Sequence, residues 1–295
     1  EDDIKNASRA FTGWTFRQPL SLYPYGHHHA DFEFIPEDHD YDEKVFLGHV
    51  GNFDGEDIID IIVEQNAAAK FLSRHLYNFF VEDEVQVPSW ETIDPKNPQA
   101  IEELSKAYME SKGDMRHILK TLFNSDFFKN SLTLSKVKSP TELIVGVIKQ
   151  TGEFNTPTPG IHEFAVTTLN GSAIEGPLAI MGQRLMNPPT VEGWHTGSEW
   201  IDSGTLSERI GFVEKQFADP TKPGVSEMVS RAGNLDDNPS ELVDRCLDLL
   251  GAVNVRHETY QSLTDYAREL KGLEDSAGVH NLIQMTASTV DYQFA

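Results

Sequence analysis

The sequence predicts a mainly α protein: an irregular multi-helix bundle with one small β-hairpin. Apolar residues recur at helical spacing from residue 55 almost to the chain end. Caps, first-turn prolines and terminal glycines punctuate those stretches. Strand-like alternation is confined to residues near 32–48.

The elements follow in order. "EDDIKNASRAFTGW" opens with acids, which suit a helix N-terminus. Ile4, Ala7, Ser8 and Phe11 share one face, and Gly13 ends the helix. Residues 15–31 hold Pro19, Pro24, Gly26 and the run His27, His28, His29, and read as loop. "DFEFI" and "KVFLG" flank the acidic stretch 36–43, which suggests a hairpin with a long acidic tip. "GEDIIDIIVEQ" is amphipathic. "NAAAKFLSRHLYNFFV" places Ala68, Phe71, Leu72, His75, Leu76, Phe79 and Phe80 on one stripe. "NPQAIEELSKAYMESKG" ends at Gly113, and Asp114 then caps "DMRHILKTLFNS". "SDFFKN" is a single helical turn. "SPTELIVGVIKQTG" has a Ser139 cap, Pro140 in its first turn and Gly152 as its stop.

Residues 152–160 read as a linker. Helical patches follow, broken at Gly171 and at Gly176–Pro177. "NPPTVEGWHTGSEWIDSG" is a loop of the kind that carries function or plugs a core. "TLSERIGFVEKQFA" resumes helix, 219–224 is a second linker, and helices are expected over 225–232, 239–250 and 258–271. The organisation expected is one family domain over 1–295. It comprises a main bundle over 1–218 and a C-terminal helical subregion over 225–295.

The chain has 47 acidic and 24 basic residues, a net charge of −23. Such a surface repels phosphate backbones and anionic lipid, so no nucleic-acid partner is expected. No apolar run reaches the ~18–20 residues of a membrane span. Cys246 is the only cysteine, which excludes an internal disulfide and a cysteine-based zinc centre. It lies on an apolar helical stripe with Leu242, Leu249 and Leu250, as a buried thiol would. The chain starts with Glu1 and shows no signal segment, so N-terminal processing or truncation is expected.

"EFIPEDHDYDEK", residues 33–44, is the densest acidic stretch. Asp38, His39, Asp40, Asp42 and Glu43 offer oxygen and imidazole donors for a divalent cation. The spacing is not that of an EF-hand, and a solvated acidic tip is the alternative. Two of the three consecutive histidines at 27–29 could face one point, and His49 could join them. A loop of surface histidines is favoured instead. His75, on an apolar stripe, reads as a hydrogen-bonded core residue. Trp194, His195 and Trp200 could wall a ligand pocket or plug the end of the bundle. No phosphate loop, G-x-S-x-G elbow or H-E-x-x-H helix is present.

The segments "ASRAFTGWTF", "FEFIPEDHDYDEKVFLG", "AKFLSRHLYNFFV", "GDMRHILKTLFNSDFF", "VKSPTELIVGVIKQTG", "MGQRLMNPPTVEGWHTGSEWIDSGTLSERI" and the closing "YQFA" occur in order. Together they resemble the bacterial domain of unknown function 1800 family, as the C-terminal part of its domain. The resemblance implies a longer protein with a helical N-terminal half bearing a Phe-Trp-His type motif. It implies export, hence a secreted or periplasmic location, and a sulfatase-like partner protein. It implies no particular reaction. The family's Thr-Gly-Trp falls on Thr12, Gly13 and Trp14, and its His-Asp pair on His39 and Asp40. Its Lys before apolar-Leu-Gly falls on Lys44, Leu47 and Gly48, and its basic helix residue on Arg74. Its Lys-x-Pro falls on Lys138 and Pro140, and its Gly-Trp loop on Gly193 and Trp194.

Two functions remain open on the sequence. One is a metal-assisted enzyme in which His39 ligates a divalent metal and Asp40 ligates it too or orients the imidazole. Lys44 would then neutralise an anionic group, with Trp14, Arg74, Trp194 and His195 as ligand-binding residues. The other is a non-catalytic binding or scaffold protein, acting with the sulfatase-like partner or at the cell surface, in which His39 and Asp40 hold the hairpin in place.

Overall fold

The computed structural model describes residues 1–17, 31–130, 135–152, 172–191, 193–251 and 253–294. Thirteen α-helices and four short strands lie among them, so the protein is mainly α. No helix of the described residues is long and apolar enough to cross a membrane. Two compact units emerge: Glu1–Leu76 with Asn97–Ser125, and Tyr77–Lys96 with Asp126–Ala295. The histidine run 27–29 and most of the 152–160 linker lie outside the described residues.

The first unit begins with α1 (Asp2–Ala10), whose first turn carries Asp2 and Asp3 as the dipole favours. Its inward side is Ala7, Ala10 and Phe11, packed with Phe46, Phe53, Ile58 and Ile61. Ile4, expected on that face, is 74% exposed.

The strands form two ribbons rather than the single hairpin expected near 32–48. β1 (Trp14–Arg17) pairs antiparallel with β2 (Asp31–Phe34), placing Trp14 opposite Phe34 and Phe16 opposite Phe32. β3 (Lys44–Phe46) pairs with β4 (His49–Gly51). The turn between them is Leu47–Gly48, at φ +47° and +84°. Two successive left-handed residues match the strand twist, so this two-residue turn closes a ribbon that the long acidic stretch does not. The acidic residues instead form a short 3-10 turn, Pro36–Asp38.

Helices α2 (Gly55–Val63), α3 (Asn66–Phe80), α4 (Pro98–Ser111) and α5 (Met115–Asn124) follow. Asp54 and Asp57 make a capping box on α2, Asn97 caps α4, and Asp114 caps α5 as expected. The buried side of α3 is Ala69, Ser73, Arg74 and Tyr77, while Phe71 and Phe79 are exposed. This corrects the Phe-rich stripe. Ser73 on that side meets α4, where the Ser105 hydroxyl donates to Ser73 Oγ.

The second unit contains α6 (Asp126–Lys129), α7 (Pro140–Thr151), α8 (Ser172–Ile180), α9 (Ser203–Phe217), α10 (Pro223–Ala232), α11 (Pro239–Leu249), α12 (His257–Glu269) and α13 (Asp275–Ala287). Ser139 caps α7 as expected, and Glu142 completes a capping box with it. Helix α8 runs through Gly176 and Pro177 instead of breaking there. One apolar core joins Leu143 and Val147 of α7, Val213 and Phe217 of α9, and residues of α10 to α13. The 219–224 linker therefore connects helices that share a core. Cys246 lies in it, and burial pushes the thiol up to about 12, which makes it inert.

Leu104→Ala, at a fully buried site, should cost about 2–5 kcal/mol of unfolding free energy. Ile4→Ser should cost less than about 0.5 kcal/mol. Urea unfolding followed by circular dichroism checks both.

Candidate functional site

In the first unit the opening acidic motif forms a clamp. Thr12 and Gly13 leave α1 by a turn in which Thr12 Oγ1 donates to Arg9 O. Gly13 has φ +83°, and a Cβ there would lie 2.7 Å from Ile35 O, so glycine is required twice over. The Asp40 amide donates to Thr12 Oγ1 at 2.8 Å, and His39 Nδ1 lies 2.8 Å from Thr12 O. A carbonyl only accepts, so Nδ1 carries a proton, and it is the tautomer with its lone pair on Nε2 that fits this bond. Phe34 and Tyr41 meet the imidazole edge-on at 5.6 and 4.6 Å.

Asp40 is committed elsewhere. Arg9 Nε and Nη2 donate to its two oxygens at 2.7 and 3.2 Å, and the Asp42 amide donates to Oδ1. The Arg9 guanidinium is the main cause that holds the Asp40 carboxyl down at about 2. Lys44 is 1% exposed, and its ammonium donates to the carbonyls of Asp40 and Asp42. Trp14 packs edge-on against Phe11 and Phe32. His39, Asp40, Lys44 and Trp14 thus gather around the end of α1. His49 lies on β4 opposite Phe46. Arg74 is buried in α3. His75 packs edge-on against Phe71, and burial lowers its pKa. Among the described residues no three His, Cys, Asp or Glu side chains converge to hold a metal ion.

In the second unit the Gly-Trp loop contributes to a cleft of about 440 Å³. Trp200 is buried, 4% exposed. Trp194 is half-buried, and its indole N–H donates to Arg184 O at 3.1 Å. His195 Nδ1 pairs with Glu199 at 2.6 Å on the exposed side of the loop. Thr196, Ser198 and Glu199 themselves line the cleft. Opposite stands the Asp83–Lys96 segment. Gln86 Nε2 donates to Thr196 Oγ1 at 3.1 Å and joins the two walls. Gly197, at φ +61°, lets the loop approach, since a Cβ there would lie 3.0 Å from Asp83 Cβ. Asp83 accepts from Lys136 Nζ at 3.2 Å and from the Val137 amide at 2.7 Å.

One wall is closed by an antiparallel bridge between Val137 and Phe294, both of which line the cleft. Lys138 N donates to Gln293 O at 2.9 Å beside it. Behind the bridge lies fully buried Arg209, whose Nη2 donates to Lys138 O at 2.7 Å and whose Nη1 reaches Gln293 Oε1 at 3.5 Å. Lys138 Nζ donates to Tyr292 O and lies 4.2 Å from that ring's centroid. Burial is the main cause that lowers the Lys138 ammonium to about 8 and the Arg209 guanidinium to about 10. Neither Arg209 nor the cleft was read from the sequence. A signal for Arg209 exists: it stands on the same α9 stripe as Val213 and Phe217, where an apolar residue is expected.

The clamp makes a pH prediction. The folded-state pKa of Asp40 lies below the ordinary value of about 3.9, so its contribution is full above that value and disappears as pH falls through about 2. Urea midpoints measured from pH 5 to 2 should fall less steeply for Asp40→Asn than for wild type. Equal slopes would show that the Arg9 pair contributes nothing.

Residues 1–294 match the family model described as protein of unknown function DUF1800. No curated protein matches the chain. No solved structure matches it either. With the match extending over all but the last residue, the chain belongs to the DUF1800 family.

Proposed function

We propose that this protein is a non-catalytic binding module that takes a small ligand, or one unit of a larger one, in the cleft of its second unit. The carrying observation is the cleft itself. Residues 83–96, 135–137, 196–199 and 294 supply hydroxyl, amide and carboxylate groups around about 440 Å³. That volume is within the ~300–1,000 Å³ range of ligand pockets, and a few polar groups beside apolar walls are their usual make-up. In this reading His39, Asp40 and Lys44 are architectural, because their hydrogen bonds run to Arg9, Thr12 and nearby carbonyls. The family resemblance supports an exported protein with a sulfatase-like partner.

A second reading keeps the metal-assisted enzyme. It is favoured by one observation: His39 Nδ1 bonds a backbone carbonyl, the arrangement that leaves Nε2 oriented as a metal ligand. Elemental analysis of wild type beside His39→Ala separates the two. A stoichiometric transition metal lost in the variant would favour the enzyme.

The binding reading is tested by soaking crystals with a library of small polar fragments. Fragments should cluster between Gln86, Ser89 and Ser198. The cluster should vanish in Ser198→Trp, which fills the cleft from an exposed position. Fragments that leave the cleft empty while occupying other surfaces would overturn the reading.

A further inference from the structure

We infer, resting on the binding reading above, that the cleft takes a neutral, hydroxyl-rich ligand of the saccharide class. The inference comes from which hydrogen-bonding groups lining the cleft are already used. Asp83 accepts from Lys136 Nζ and the Val137 amide. Glu84 Oε1 accepts from the Lys96 amide at 2.9 Å. Glu199 Oε2 is taken by His195. Lys96 Nζ, the ammonium on this rim, bonds Glu82 at 2.9 Å. Each of these groups therefore has a hydrogen-bond or ionic partner of its own.

The unused capacity is mostly accepting. Among the described residues the hydroxyls of Ser89 and Ser198 have no hydrogen-bond partner, and Gln86 accepts none through its side-chain oxygen. Glu199 keeps its second oxygen. Ser135 Oγ donates to Val81 O and can still accept. Hydroxyls and carboxylate oxygens of this kind are satisfied by ligand O–H donors. A bound anion would face the oxygens of Asp83, Glu84 and Glu199 at close range, which is repulsive. The same cleft has an apolar side, where Ile93, Val137 and Phe294 meet the space. A sugar ring has that double character: an apolar C–H face and edges rich in hydroxyls. A small inorganic cation would leave the apolar side unused.

The test is saturation-transfer NMR on the whole chain with three probe sets at equal concentration. These are neutral oligosaccharides of glucose, galactose, mannose and N-acetylglucosamine; spermidine; and inorganic sulfate. At least one neutral oligosaccharide should show transfer, and Ser198→Trp should weaken it by about tenfold or more, with an unchanged far-ultraviolet circular dichroism spectrum. Sulfate should show no competition. If no oligosaccharide shows transfer, or if its signal survives Ser198→Trp, the saccharide assignment is wrong. Spermidine or sulfate displacing the sugar from the cleft would contradict it as well. The crystal soak distinguishes the two levels of failure. Fragments in the cleft without saccharide binding refute the ligand class alone, while an empty cleft in both experiments refutes the site.

Discussion

A buried guanidinium organises the second unit. Arg209 is wholly enclosed, and removing a charge from water carries a desolvation cost of several kcal/mol before any partner is counted. Its bonds run to a backbone carbonyl and an amide oxygen, not to a carboxylate. Those two acceptors belong to Lys138 and Gln293, 155 residues apart in the chain. The C-terminal residues and the residues leading into α7 therefore meet around it. Lys138 reinforces the contact through Tyr292 O, and Asp291, 1% exposed, is anchored by Arg256 Nε at 2.7 Å. Gln150 adds a further tie, donating to Leu250 O and accepting from the Tyr292 hydroxyl. The Val137–Phe294 bridge lies beside this node. A wall of the cleft is held by a polar centre within the second unit.

The first unit solves a related problem at its surface. Its acidic stretch is held by Arg9 and Lys44, the cations that its own sequence brings close. Lys44 is the more telling of the two. Its ammonium is buried against carbonyl oxygens, so it works as a hydrogen-bond donor to the loop backbone. Asp3 extends the pattern by accepting from the Leu47 amide at 2.8 Å, which secures the tight turn of the second ribbon to α1. Outside the clamp, Phe16 and Phe32 stay exposed across from each other on the first ribbon.

Local chemistry made much of this architecture legible. Asp114, Ser139 and Gly152 act where sequence spacing places them, because a cap depends on residues within one turn. The stretches that misled were those decided at a distance. Ile4 and the phenylalanines of α3 follow a helical period, but the neighbouring elements choose which side is covered. For α3 the covered side carries Ala69 and Ser73, and Ser73 meets Ser105 of α4. The strand pairing was decided by Leu47, a residue in the left-handed region that carries no turn signature by itself. His39 and Asp40 were found, but the partner that defines Asp40 is Arg9, 31 positions earlier. The cleft escaped notice for the same reason: its walls come from four separated segments, of which only the Gly-Trp loop is conspicuous alone.

The central claim is that the Arg209 node holds the C-terminal residues against the start of α7 and thereby maintains the cleft. Native-state hydrogen exchange of the Lys138 amide, which bonds Gln293 O, tests it directly. The account predicts protection comparable with that of the amides in the middle of α9, because both would open only with the unit's core. Exchange of Lys138 at the rate of an exposed loop, with α9 still protected, would contradict it.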